Sequence, residues 1–168
     1  MKKVISLIVI LIITILSGCT NSSDYVTPDQ YGKNQNKTIM ECIESRDIAR
    51  LKSIMSPYVQ QQEDIDEKIE KLFDFIDGNI ISYDEPGGSV QSKESTPQGI
   101  TLEALSGCTR NIVTDAGKKY EVEFYSYYIN KEHADYVGVS MIVIYDRDIY
   151  SEENNYPQEG VYGIYLEE

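Results

Sequence analysis

The sequence predicts an α+β domain in which three helices pack on one side of a curved, mostly antiparallel sheet. Within residues 39–76, apolar residues recur at helical spacing. After residue 79 they alternate with polar residues and are mainly β-branched or aromatic, as in strands. Segments rich in Gly, Pro, Asn and Ser separate these runs. Helices followed by strands are the order expected of an α+β domain.

Residues 1–18 have the composition of a signal peptide. Lys2 and Lys3 provide a positive start, and an apolar run follows from Val4 to Leu16. As a helix this run is about 20 Å long, which is too short for the roughly 30 Å hydrocarbon core of a bilayer. The segment therefore predicts export without a membrane-spanning anchor.

A short motif ends the apolar run, consisting of Leu16, Ser17, Gly18 and Cys19. It resembles the lipobox of bacterial lipoproteins. The resemblance implies that Cys19 becomes the N-terminus, carries a diacylglyceryl thioether, and holds the protein on the extracytoplasmic face of the cell membrane. Two acyl chains suffice for attachment, since each buried methylene contributes about 0.8 kcal/mol. The alternative is an ordinary secretory signal followed by a chance cysteine.

Residues 19–36 are predicted to form a flexible tether that begins at the lipidated cysteine. They are polar and have no helical or strand periodicity. A flexible coil of this length spans about 20–25 Å. Residues 37–168 then have the length of a single domain.

Two short helices are predicted between residues 39 and 55, and Asp47 is suited to cap the second. A third helix has the clearest apolar stripe: Ile65, Ile69, Leu72, Phe73 and Ile76. Asp64 and Glu67 are expected to form a capping box at its start.

Strand character appears at 80–84, 100–114, 119–129, 137–145 and 161–166. Residues 85–99 contain several Gly, Pro and Ser residues and predict a long mobile connection or lid. A bend or bulge is expected at Ser106-Gly107. Alternation in 119–129 predicts that Tyr120, Val122, Phe124 and Tyr128 face the helices, whereas Glu121, Glu123 and Tyr125 face away. In the next strand Val139, Met141 and Val143 are expected to share one face.

Residues 39–56 contain an apolar helix, then Asp, Leu and a final Ser, and resemble the opening of the nuclear-transport-factor-like (cystatin-like) superfamily. Residues 67–78, followed by Ile81-Ser82-Tyr83, resemble a family of unknown function found in Gram-positive lipoproteins. The second resemblance covers about residues 37–166. Together they imply a cone of helices over a bent sheet, located in the cell envelope, and they transfer no catalytic residue.

The net charge of the chain limits the classes of partner that it can bind. The formal net charge is −13, and it becomes two units more negative when Lys2 and Lys3 are removed. This excludes nucleic acid, whose phosphates require Lys and Arg, and it opposes docking on an anionic membrane surface. The acidity either keeps an exported protein soluble or attracts a cationic protein or peptide.

No catalytic constellation is recognised. His133 is the only histidine and lies in a polar predicted turn. A buried acid–base pair would be sought at Asp74 or at Tyr83-Asp84. Neither 64–67 nor 146–148 has the spacing of a calcium loop, so no metal or other cofactor is predicted.

Five side chains are candidates for a ligand pocket if the cone is open: Phe73, Tyr120, Phe124, Tyr128 and Met141. Cys42 and Cys108 are either buried free thiols, which their apolar patterns favour, or a disulfide that stabilises the fold by about 4 kcal/mol.

The leading hypothesis is a non-enzymatic, lipid-anchored domain that binds a small ligand or a protein partner. The alternatives are a small acid–base enzyme with a buried Asp and Tyr, and an acidic immunity or inhibitor protein.

Overall fold

The computed structural model describes residues 26–150 and 160–166, in which four helices precede a six-stranded antiparallel sheet. The helices are α1 (Pro28–Ser45), α2 (Ile48–Ile54), α3 (Pro57–Gln60) and α4 (Ile65–Asp74). The strands are β1 (Ile80–Ser82), β2 (Ser89–Thr96), β3 (Gly99–Thr114), β4 (Lys119–Asn130), β5 (Gly138–Asp146) and β6 (Val161–Ile164). The predicted α+β class is confirmed. The predicted signal peptide and the predicted lipobox residues Leu16, Ser17, Gly18 and Cys19 lie outside the described residues.

No helix in the described ranges combines the length and apolarity needed to cross a membrane. The helices instead pack on one face of the sheet, where their apolar side chains are buried.

Helix α1 begins inside the predicted tether. Thr27 caps it, accepting a hydrogen bond from the backbone N–H of Gln30, and Asn36 is fully buried. Residues 28–36 of the predicted tether are therefore helical rather than a flexible coil. The first half of α1 has no apolar stripe because its buried positions include Gly32 and Asn36, which pack through close backbone approach and polar bonds.

The helix junctions agree only in part with the predictions. The predicted break between the first two helices is confirmed, with Arg46 in the left-handed region and the Asp47 carboxylate accepting from Arg50 N–H. Helix α3 was not predicted, and Ser56 caps it. The predicted capping box of α4 is wrong. Asp64 makes no side-chain cap bond, and its carboxylate lies 3.3 Å from the Lys68 ammonium.

The sheet has the order β1-β3-β4-β5-β6, and β2 also pairs with β3. The prediction of a mobile connection at 85–99 is wrong for Ser89–Thr96, which form β2. All eight residues of β2 are exposed, so no alternation of apolar and polar residues marked it as a strand. The main irregularity of β3 lies between Thr109 and Ile112, where Asn111 has a φ of 53°, rather than at Ser106-Gly107.

One face of β4 and β5 meets the helices. The predicted inward positions Tyr120, Val122 and Phe124 all lie in the core, as do Ile142 and Ile144. The expectation that Val139, Met141 and Val143 share one face is wrong. Ser126 and Tyr125 pair with Val139 and Met141, which leaves Ser140 as an extra residue, and this bulge turns Val139 inward and Met141 outward.

Candidate functional site

The face of the sheet turned away from the helices carries two adjoining cavities, which we call the outer-face groove. Their volumes are about 810 and 670 Å³, and Arg110 and Glu123 line both. Alternation along β4 places Glu123 on this face, because its neighbours Val122 and Phe124 lie in the core. The lining comes mainly from β3, β4 and β5 and from the loop before β2.

A row of paired residues crosses the groove. Cys108 pairs with Glu123, Glu123 with Val143, and Val143 with Gly163. The neighbouring rows along the strands contain the pairs Tyr125–Met141 and Glu121–Tyr145. Paired residues on adjacent strands lie on the same face of a sheet, so these side chains form one continuous surface.

Glu121 is the most connected side chain of the groove. Its Oε1 atom accepts hydrogen bonds from the Cys108 thiol at 2.9 Å and from Nε of Arg110 at 3.3 Å. Its Oε2 atom lies 3.9 Å from Nε of Arg147. The carboxylate is mostly buried, with a side-chain exposure of 15%. Two guanidinium groups therefore balance a single, largely desolvated negative charge.

Glu123 is held by a tyrosine. Its Oε2 atom accepts a hydrogen bond from the Tyr145 hydroxyl at 3.1 Å. Burial raises the pKa of Tyr145, and the neighbouring charge of Glu123 raises it further, so the hydroxyl remains a donor at neutral pH. The ring of Tyr145 also packs against that of Tyr150, with 4.9 Å between the ring centroids.

The Cys108 thiol is protonated at neutral pH. Burial raises its pKa to about 12, with further contributions from the hydrogen bond to Glu121 and from that carboxylate's charge. Because the thiolate is the nucleophilic form of cysteine, this arrangement does not activate Cys108. The thiol acts here as a hydrogen-bond donor.

The sulfur of Cys108 and carboxylate oxygens of Glu121 and Glu123 lie within 4.8 Å of one another, a spacing that suits a divalent cation. The local charges oppose such binding. Arg110 and Arg147 already neutralise Glu121, and the high pKa of Cys108 means that an ion must displace a tightly held proton. The sequence prediction of no metal did not identify this cluster, whose members lie on two strands.

Glycines allow the loop before β2 to approach the groove. The Gly87 N–H donates to the Cys108 carbonyl at 3.1 Å. A Cβ atom on Gly107 would lie 2.3 Å from the Gly87 carbonyl oxygen and 2.3 Å from the Phe124 ring. Only a residue without a side chain fits at position 107 in this arrangement.

The structure separates the five residues predicted to line a pocket. Phe73 and Tyr120 lie in the core and are each 2% exposed. Phe124 also lies in the core, but it borders the groove beside Gly107, and Met141 lines the same cavity from the outer face. Tyr128 is half-buried on the helix side, with its ring 5.0 Å from that of Tyr31. Tyr120, Phe124 and Met141 thus border the outer-face groove, Tyr120 at its smaller cavity, whereas Phe73 and Tyr128 do not line it.

The candidate acid–base residues lie outside the groove or at its edge. Asp74 is exposed and forms an ion pair with Arg46. Asp84 is exposed and accepts a hydrogen bond from Asn111, while Tyr83 packs beside the core. His133 is exposed, as predicted, and stacks on Tyr136.

The two described cysteines are both free thiols. Cys42 is fully buried in the core cluster, whereas Cys108 lies on the outer face, so the sheet separates them. The expectation of two buried thiols holds for Cys42, but Cys108 is only partly buried.

Sequence reasoning placed Glu121, Glu123 and Tyr125 on the outer face but did not assign them to a site. The available signal was the alternation itself, since two carboxylates in the middle of a central strand need partners. The partners Arg110 and Tyr145 come from other strands, and only the register brings them to the carboxylates.

A family model described as a domain of unknown function, DUF5104, matches residues 38–150. The match includes the C-terminal part of α1, helices α2 to α4, and β1 to β5, and therefore most residues of the outer-face groove. No curated protein matches the chain.

Proposed function

The chain belongs to the DUF5104 family of domains of unknown function, and from this premise we propose that it is a lipid-anchored extracytoplasmic binding protein. In this proposal the lipid on Cys19 attaches the protein to the cell membrane, and the outer-face groove holds a small polar ligand. The observation that carries the binding role is the groove itself, in which hydrogen-bonded carboxylates, guanidiniums and tyrosines surround two adjoining cavities.

The anchor rests on the sequence alone. An apolar run of the right length is followed directly by Leu16, Ser17, Gly18 and Cys19. Two acyl chains on Cys19 give stable membrane attachment, whereas a single chain gives marginal attachment. The acidic domain is then expected to remain clear of anionic lipid headgroups.

We also infer a relationship to the nuclear-transport-factor-like superfamily. In its support, the helices gather on one face of an antiparallel sheet and the long strand β3 pairs with three other strands. This fold supplies a scaffold without defining an activity.

The charges of the groove indicate what kind of ligand it suits. Its lining contains four acidic residues and four basic ones: Asp84, Glu85, Glu121 and Glu123, and Lys33, Arg110, Lys119 and Arg147. Such a balanced lining suits a ligand that carries both an acidic and a basic group better than it suits a purely cationic peptide. We therefore propose a small zwitterion, such as a dipeptide, as the ligand class.

A binding role is favoured over catalysis because the reactive groups of the groove are occupied. The Cys108 thiol is protonated, and both central carboxylates already accept hydrogen bonds. Arg110 is more exposed, with a side-chain exposure of 68%, and is placed to contact a ligand carboxylate in either cavity.

Titration calorimetry on the full chain in detergent tests this proposal with glycylglycine as the probe. N-acetylglycylglycine lacks the ammonium group, and glycylglycinamide lacks the carboxylate. We expect glycylglycine to bind more tightly than either derivative. Glu123→Gln should remove the preference for the ammonium group, and Arg110→Gln the preference for the carboxylate.

Arg46→Gln serves as the control, because Arg46 is an exposed cation on the helix side, paired with Asp74. It should bind glycylglycine like the unmodified protein. The proposal fails if glycylglycine does not bind at millimolar concentration, or if both groove variants bind all three probes unchanged.

A further inference from the structure

A separate pocket lies on the helix side of the molecule. It is bordered by α1, by the α2–α3 junction and by the residues just before β5, and its volume is about 510 Å³. We call it the amide pocket, after the side chains of Asn34, Gln35 and Gln60 that line it. It shares no lining residue with the outer-face groove.

The amide pocket is uncharged. Although 26% of the residues in the chain are charged, none of the residues that line this pocket is. Its polar groups are amides and hydroxyls, and its apolar wall consists of Ile54, Met55, Pro57 and Val137. A charged ligand would lose its hydration here without gaining an opposite charge, so the pocket suits an uncharged one.

Gln35 lines this pocket and has one buried polar atom without a hydrogen-bond partner. The residue is only 7% exposed, and its Nε2 atom donates to the Tyr31 hydroxyl at 3.4 Å. Its Oε1 atom has no hydrogen-bond partner among residues 26–150 and 160–166. Exchanging the oxygen and nitrogen of the amide would still leave one of its two ends without a partner. Buried polar groups are normally paired, so this exception needs an explanation.

A second unsatisfied atom lies nearby in the sheet. Met55, which lines the pocket, forms a bridge with Val139, and Val139 pairs with Ser126. Ser126 is fully buried, and its Oγ atom also has no hydrogen-bond partner in the described part of the chain. Both unsatisfied groups therefore belong to the helix side of the molecule, close to the α2–α3 junction.

We infer that the amide pocket binds an uncharged small molecule in which a hydrogen-bond donor adjoins an apolar group, as in an N-acetylated sugar. The free end of the Gln35 amide is buried in the unbound protein, so the side chain rotates on binding to pair with the donor, and the apolar group packs on Ile54 and Met55. Its N–H and acetyl methyl make N-acetylglucosamine a suitable probe. Glucosamine is the matched control, since it replaces the acetamide with a charged ammonium group.

Saturation-transfer NMR on the full chain in detergent measures this directly. We expect transfer to the acetyl methyl of N-acetylglucosamine and little transfer to glucosamine. Gln35→Met preserves the length of the side chain but removes its amide, and it should abolish the transfer. Gln98→Met makes the same chemical change at an exposed site in the β2–β3 turn and should leave the transfer intact.

Thermal unfolding separates a binding role of Gln35 from a structural one. If the amide serves a ligand, Gln35→Met removes an unsatisfied buried group and should raise the midpoint of the free protein by about 2–4 °C. A midpoint lowered by a similar amount would mean that the amide stabilises the fold, and would overturn the inference. So would an absence of transfer to N-acetylglucosamine at millimolar concentration, or equal transfer with Gln35→Met.

The two proposed sites can be tested independently. Glu123→Gln changes the outer-face groove and should leave the transfer to N-acetylglucosamine intact, whereas Gln35→Met should leave glycylglycine binding intact. Loss of the N-acetylglucosamine signal with Glu123→Gln would contradict a separate site.

Discussion

The Cys108 thiol donates a hydrogen bond to Oε1 of Glu121 at 2.9 Å, on the face of the sheet turned away from the helices. The two residues are not direct partners, since Cys108 pairs with Glu123 in the register of β3 and β4. The bond is therefore diagonal, and Glu121 also accepts from Arg110. This arrangement fixes the central carboxylate of the groove and keeps the thiol protonated.

Removing the charge of Glu121 should make Cys108 more reactive. The carboxylate raises the pKa of the thiol both through its hydrogen bond and through its charge, although burial makes the largest contribution. Glu121→Gln is expected to lower that pKa, and each unit of decrease raises the thiolate fraction about tenfold below the pKa. The rate of alkylation by iodoacetamide at pH 9, followed by mass spectrometry, checks this. Cys42, which is fully buried, is the internal control. An unchanged or slower rate at Cys108 would contradict the assignment.

Asn36 should be essential to the stability of the domain. Its amide donates to the Gly87 carbonyl at 2.7 Å and accepts from the Thr109 hydroxyl at 3.1 Å. Asn36→Ala removes both bonds and leaves buried partners unpaired, so the free energy of unfolding should fall by about 2–4 kcal/mol. Urea unfolding measures this. Lys37→Ala, an exposed neighbour, should change stability by less than about 0.5 kcal/mol. Equal, small effects of both variants would mean that residues 28–36 are not part of the folded unit.

A side chain at position 107 should disturb the groove. The Cβ atom of Gly107→Ala would overlap the Gly87 carbonyl and the Phe124 ring, at a cost of about 1–3 kcal/mol. Gly87→Ala is the matched control, because its Cβ would lie 3.4 Å from the nearest heavy atom, the Cys108 carbonyl oxygen, and should cost less than about 1 kcal/mol. Urea unfolding of the two variants compares these costs. A Gly107 variant as stable as the Gly87 variant would contradict the described packing.

Hydrogen bonds to Asp115, in the turn between β3 and β4, should make the stability of the domain sensitive to acid. Asp115 accepts from the backbone N–H of Asn79 at 2.7 Å and from its side-chain amide at 2.9 Å. These bonds lower the pKa of Asp115 in the folded state. A carboxylate with a lowered folded pKa contributes stability above its unfolded pKa of about 4, and that contribution is lost as the pH falls through the folded pKa.

Asp115→Asn should therefore weaken the decline in stability between about pH 5 and pH 2. Thermal unfolding midpoints across this range check the prediction, and Asn79→Ala should flatten the decline in the same way. If both variants lose stability with acid as steeply as the unmodified protein, the bond between Asn79 and Asp115 does not act as described.

The elements that could be predicted from the sequence are those that bury a regular pattern of apolar residues. The stripe of α4 and the alternation of β4 both gave correct elements and correct inward faces, because apolar burial was their main constraint. The first half of helix α1 and the whole of strand β2 were missed for the opposite reason. Asn36 is buried through hydrogen bonds to distant residues, and β2 is exposed along its whole length.

The candidate site was harder to predict from the sequence than the fold. Glu121 and Glu123 were placed on the correct face, but their partners depend on the strand register, and a bulge at Ser140 reversed the expected orientation of Met141. Phe73 and Tyr120 were chosen as aromatic pocket residues, yet large aromatic side chains also fill cores. Both lie in the core, although Tyr120 also borders the smaller groove cavity. No local pattern distinguishes the two roles.

Metabolic labelling with radioactive palmitate, followed by membrane fractionation, tests the central claim of a lipid-anchored binding protein most directly. Cells expressing the unmodified chain should yield a labelled protein in the membrane fraction, and Cys42→Ala should behave identically. Cys19→Ala should lose the label and leave the membrane fraction. Retention of both the label and the membrane association by Cys19→Ala would contradict the account.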